Sequence, residues 1–184
     1  MTYKFKILCV GMEGVDIEGL TEPLIGPHYR KQFIKSLGVS FGTTKIIPMD
    51  EGTESDAMSL TMWRMNYEPA FFKLVFPMYV KGTHSLLLFF RDSERETRIQ
   101  LGELIRVTRE DWEDIPIFLI GVPDESQSTS ISKKIMIGFS ESHRCADLYF
   151  LRNREMVETL TVLTEIADIC RALSSTLYSK FFKM

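Results

Sequence analysis

Asp16, Glu18, Asp92, Asp124 and Glu125 each follow an apolar run, and are the residues best placed for chemistry. Gathered at strand ends, such carboxylates would serve as an acid–base pair or hold a metal ion. His28, His84 and His143 are scattered without metal-ligand spacing, so each reads as a surface or loop histidine. Cys9 lies inside an apolar run and reads as core, with no ordered base near it in sequence. Cys145 and Cys170 complete the cysteines, and no CxxC pair occurs, which argues against a disulfide framework or a structural zinc site. Gly11 and Gly14 close the first apolar run, where a ligand-binding turn would sit.

These residues must be positioned by a chain of 184 residues with a formal net charge of −3, long enough for one domain with its own core. The near balance of acids and bases excludes a strongly basic footprint, so nucleic acid is not an expected partner. The N-terminus runs into an apolar segment too short for a signal or membrane helix, and the expectation is a cytoplasmic protein. Tyr3–Val10 reads as a buried strand, and Asp16–Ile25 as the opening of a helix. Val39–Ile47 and Met58–Trp63 read as strands joined by the acidic hairpin link Asp50–Asp56. Ser85–Phe90 and Ile115–Gly121 are continuous apolar runs, the mark of strands covered on both faces. Arg95–Arg109 and Ile131–Ser140 have helical spacing, and Cys145–Leu151 is a last short strand. Met156, Leu160, Leu163, Ala167 and Cys170 line one face of a C-terminal helix. This alternation predicts an α/β fold: a mostly parallel sheet with helices on both faces and one antiparallel edge strand.

The order and spacing resemble the Ras-like small GTPases, most closely the Rab branch, from about Tyr3 to Leu173. The resemblance rests on several short segments. Gly11–Val15 (GMEGV) sits at the start of the P-loop. Ser36–Thr43 (SLGVSFGT) stands at switch I and the following strand. Leu60–Trp63 (LTMW) resembles the strand leading into Asp-x-x-Gly. Pro77–His84 (PMYVKGTH) is similar to a Rab segment, and Ile117–Gly121 (IFLIG) to the strand before Asn-Lys-x-Asp. The resemblance implies a three-layer P-loop NTPase-type fold over residues 1–173, with a six-stranded sheet and about five helices. A short tail, 174–184, follows.

Every position that would carry GTP chemistry is replaced. The closing Gly-Lys-Ser/Thr of a P-loop, whose backbone, cation and hydroxyl hold phosphate and Mg²⁺, reads Asp16, Ile17 and Glu18. A like-charge contact at about 4 Å costs on the order of 4 kcal/mol at an effective dielectric of ~20. Arg64 and Tyr67 replace the Asp and Gly of Asp-x-x-Gly, and Glu68 with Pro69 follows where the water-orienting Gln belongs. Val122–Glu125 (VPDE) stands for Asn-Lys-x-Asp, and Phe150–Arg154 for the last guanine loop. Only Ser36 is chemically close to its counterpart. Arg64 is expected to pair with Asp16 or Glu18 in place of Mg²⁺. A phosphoacceptor receiver pattern is not in register.

The Rab effector triad corresponds to Phe41, Trp63 and Tyr79, all aromatic here. Core burial and a partner-facing patch are both open for them. The segment Pro69–Met78 is unusually apolar, and Phe71, Phe72, Val75 and Phe76 are expected on a buried or interfacial helix. The tail carries no terminal cysteine, so prenylation is not expected. The reading is a pseudo-GTPase, not an enzyme and without cofactor or metal, that binds a protein partner through its switch surface, as an adaptor or a subunit of a hetero-complex of trafficking type. The alternatives are a divergent nucleotide-binding GTPase with weak or absent hydrolysis, and an unrelated α/β enzyme using strand-end carboxylates.

Overall fold

The computed structural model describes residues 3–22, 39–46, 58–91, 95–123, 133–151 and 156–181. The elements run β1 (Tyr3–Gly11), α1 (Ile17–Thr21), β2 (Val39–Ile46), β3 (Met58–Asn66), α2 (Pro69–Val80), β4 (Ser85–Arg91), α3 (Arg95–Asp111), β5 (Ile117–Val122), α4 (Lys133–Ser142), β6 (Asp147–Phe150) and α5 (Met156–Phe181). The six strands form one sheet in the order β2-β3-β1-β4-β5-β6. Among the described residues only β2 and β3 are antiparallel, with Phe41 opposite Trp63, and β2 lies at the edge. The expected α/β layout is thus present. The hairpin link Asp50–Asp56 lies outside the described residues.

Alternation along β1 explains the three layers. Phe5, Ile7 and Cys9 enter one apolar cluster, with Ile17 and Leu20 of α1 and Leu163, Ile166 and Ala167 of α5. Leu8 and Val10 point to the opposite face, where they meet Phe72, Phe76 and Val80 of α2 and Leu101, Leu104 and Ile105 of α3. Period-two side chains on a strand covered on both faces require this division. In β4, the six residues from Ser85 to Phe90 are all buried, as the unbroken apolar run predicts.

Several element ends differ from expectation. β3 continues past Trp63 to Asn66, because Cys9, Val10 and Gly11 pair with Arg64, Met65 and Asn66. Asp16 stands outside α1 as its N-cap. α5 does not stop at Leu173 but continues to Phe181. α2 begins at Pro69, whose missing N–H costs nothing in a first helical turn.

Phe76 is fully buried between the sheet and α3, stacked on Phe72 and edge-on to Trp112. Phe76→Ala is expected to lower stability by about 3–5 kcal/mol, as a reduced midpoint in denaturant unfolding with an unchanged slope.

Candidate functional site

Ligands in open α/β sheets bind beyond the C-terminal ends of the strands, where the strand order reverses. Here the chain leaves β1 for β3 on one side and later places β4 on the other, so the reversal falls at β1. The segment to inspect is 12–16, flanked by Asn66 and Arg91 at the ends of β3 and β4.

That segment is tied down by its own hydrogen bonds. Tyr67 N–H donates to Gly11 C=O (2.7 Å), and Met12 N–H donates to Phe89 C=O (2.9 Å). Val15 N–H donates to Met12 C=O (3.0 Å), closing a turn whose third residue is Gly14 at φ +75°. A positive φ at that position is the mark of a type II turn, and it favours glycine. Ile17 N–H donates to Val15 C=O (3.1 Å). The Asp16 carboxylate accepts from Gly19 N–H (2.9 Å), capping α1. Gly19 must lack a side chain there, since a Cβ would lie 2.3 Å from Asp16 Oδ2.

Two side chains complete the loop. Ile17 is 2% exposed and packs beneath Gly11, where an added Cβ would sit 3.0 Å from its own. Arg91 lies over Gly14, with Nη1 3.3 Å from the place of an added Cβ. Arg91 Nε is buried without a hydrogen-bond partner. The sequence carries no signal for this arrangement.

The strand-end charges sort differently from expectation. Arg64 does not take Asp16 or Glu18 as its partner among the described contacts. Its Nη1 donates to Thr21 Oγ1 (3.1 Å), at 2% residue exposure. Glu18 instead accepts from Ser40 Oγ (3.3 Å) on β2, and Asp16 is occupied by its cap. The reason is alternation: Met58, Leu60 and Met62 face α1 and α5, and Arg64 continues that inward row beside Cys9. Burial pushes the Cys9 thiol up to about 12, against the pull of the Arg64 charge, so Cys9 is no nucleophile. Among the described residues no group of three or more His, Cys, Asp and Glu could hold a metal ion. Asp92, Asp124, Glu125, Ser36, and 152–154 of the last loop lie outside the described residues.

The aromatic positions do meet. Phe41 stacks on Trp63 (centroids 4.8 Å apart), and Trp63 lies against Tyr79 (5.4 Å). Phe41 and Trp63 are half-buried, whereas Tyr79 is 7% exposed. Phe72 is 4% exposed and belongs to the core, because its turn of α2 faces the sheet; it is not a surface anchor. The side chain of Phe71 lies outside the described ones. Among the described side chains of this helix, the large apolar ones that are exposed are Leu74 (76%) and Met78 (68%). Their four-residue spacing within Pro69–Met78 was a legible signal for one outward face. Lys73 reaches Glu103 of α3 (3.7 Å) on one flank of α2, while Tyr79 meets Trp63 on the other.

Lys6 locks this corner. Its ammonium donates to the carbonyls of Tyr79 and Lys81 at the end of α2 and lies 5.0 Å from the Trp63 ring centroid. A cation at a helix C-terminus and over an indole is favourable on both counts. Burial lowers the Lys6 pKa. His84 is not a free loop residue. Its N–H donates to Lys6 C=O (2.8 Å), its Nδ1 accepts from Lys6 N–H (3.1 Å), and its ring meets Phe5 edge-on. Burial, and the Lys6 charge after it, hold His84 below the usual histidine range.

No protein-family model matches the chain, and no curated protein matches it either. Among the described residues no helix is long and apolar enough to cross a membrane.

Two outcomes follow. Gly14→Ala should destabilise the protein by roughly 1–2 kcal/mol, the cost of a side chain in left-handed backbone, and Gly138→Ala, which meets open space in mid-helix, should not; thermal unfolding of both variants checks this. With a folded His84 pKa below the unfolded value, the unfolded chain takes up the proton first as pH falls. The His84 contribution is therefore complete above about pH 6.5 and is lost on acidification. Unfolding midpoints of wild type and His84→Gln should draw together as the pH falls below about 6.5; a constant gap would contradict the assignment.

Proposed function

We propose that the chain is a Ras-like pseudo-GTPase of the Rab-like kind, working as a protein-interaction subunit or adaptor in a complex of trafficking type, without nucleotide, cofactor or catalysis. The observation that carries this reading is Ile17. At the place where the resemblance puts the phosphate-binding lysine, the side chain is buried in the core beneath Gly11. The loop's donors agree with it: the N–H groups of Met12, Val15, Ile17 and Gly19 have acceptors within the protein. A phosphate cradle needs such donors open and a cation beside them. The six-stranded sheet with its antiparallel edge pair is the layout the resemblance implies. On the switch side, Phe41 and Trp63 form a half-exposed aromatic surface, and α2 exposes Leu74 and Met78; both are suited to a partner.

One observation favours a second reading, a divergent nucleotide binder. Arg91 places its guanidinium over the Gly14 turn with its Nε unbonded, where it could meet an anion.

The protein, purified and denatured, should release no stoichiometric nucleotide, and labelled GTP, GDP and ATP with Mg²⁺ should show no saturable binding. Stoichiometric nucleotide, or binding lost in Arg91→Met, would replace the first reading with the second. A stable partner should be lost on Trp63→Ala or Phe41→Ala while the unfolding midpoint shows the fold intact.

A further inference from the structure

The sheet has a second edge, far from the aromatic surface. β6 has only four residues and pairs with β5 alone; among the described residues no strand lies beyond it. A groove of about 350 Å³ runs between this strand and α4. Asp147 and Leu148 at the start of this edge strand both line it. Ile137, Leu148 and Phe150 give it an apolar floor.

Its charges lie at opposite ends. Lys133, in the first turn of α4, sits 5.2 Å from the Phe150 ring centroid at the end of β6. Glu141, in the last turn of α4, and Asp147, at the start of β6, also line the groove. Eight helical steps from Lys133 to Glu141 span about 12 Å. Three strand steps from Asp147 to Phe150 span about 10 Å. Helix and strand therefore run in opposite directions, with a positive end and a negative end roughly 10–12 Å apart.

We propose that this groove is a self-association surface, occupied by β6 of a second copy of the chain. Antiparallel pairing of β6 with its twofold mate turns each positive end onto the other copy's negative end. Lys133 of each copy then faces Asp147 and Glu141 of its mate. A surface whose charges are complementary to themselves under a twofold rotation is what a closed symmetric dimer requires. Edge pairing also satisfies the outward backbone groups of β6 and covers the apolar floor of each groove. The short strand limits the backbone contribution, so the charged ends decide the register. The proposal is independent of the pseudo-GTPase reading and involves the opposite edge of the sheet.

Sedimentation velocity of the full chain over a wide concentration range tests it. The expected result is a monomer–dimer equilibrium that weakens with added salt. Lys133→Glu should weaken association at least tenfold, because the twofold counts each lost contact twice, and Asp147→Lys with Glu141→Lys should do the same. The three substitutions combined restore opposite charges at both ends, so dimerisation should return. Circular dichroism of each variant separates lost association from lost fold; a variant that does not fold is replaced by the neutral Lys133→Gln, which should weaken the dimer less. A protein monomeric at every concentration, a dimer indifferent to the single reversals, or a triple variant that stays monomeric would each overturn the proposal.

Discussion

The structure depends on β1 being enclosed on every side. Its backbone is bonded to β3 along one edge and to β4 along the other. Its side chains alternate between the α1–α5 cluster and the α2–α3 cluster, and the residues from Ile7 to Val10 have no exposed surface. A strand held this way cannot shift register, because a slip of one residue would exchange the two faces. The position of Gly11 is therefore rigid, and so is the start of the loop that follows it. Everything at the crevice is referred to that point: Ile17 packs beneath it, Tyr67 bonds to it, and Arg91 covers the turn three residues on.

That rigidity gives the crevice its present chemistry. A loop that binds a ligand keeps donors unspent; this loop spends several of them on its own carbonyls and on the Asp16 carboxylate. Charge is placed with the same economy. Arg64 continues an inward row of apolar residues and reaches Thr21 of α1, while Glu18 bonds to Ser40 of the edge strand. The two contacts join α1 to β2 and β3 through polar atoms. Arg91 is the exception, a cation brought to the turn without a bonded acceptor for its Nε.

The two ends of the sheet carry different surfaces for the same reason. Among the described residues, β2 and β6 are the strands without a neighbour on one side. At the β2 end, cross-strand pairing puts Phe41 directly on Trp63, and Lys6 braces Trp63 against the end of α2. At the β6 end, a short strand beside α4 leaves a groove with opposite charges at its ends. Edge strands present unpaired backbone as a matter of geometry, and the side chains around them determine what can approach.

Much of the fold was legible in the chain itself. Apolar runs such as Ser85–Phe90 name buried strands without further information, because only a strand covered on both faces can use them. Strand and helix alternation likewise set the parallel sheet with one antiparallel pair. The apolar identity of Ile17, the aromatic identity of Phe41, Trp63 and Tyr79, and the absence of metal-ligand spacing were also explicit. Which arginine meets which partner was not. Arg64 reaches Thr21, forty-three positions away, and Arg91 reaches Gly14 only because β1 and β4 are neighbours. Phe72 and Leu74 are equally apolar by type, yet one is core and the other is surface, since the facing of α2 is set by the sheet beneath it. Residue type and spacing determine what each segment must bury; long-range pairing decides which charges and faces remain to meet anything else.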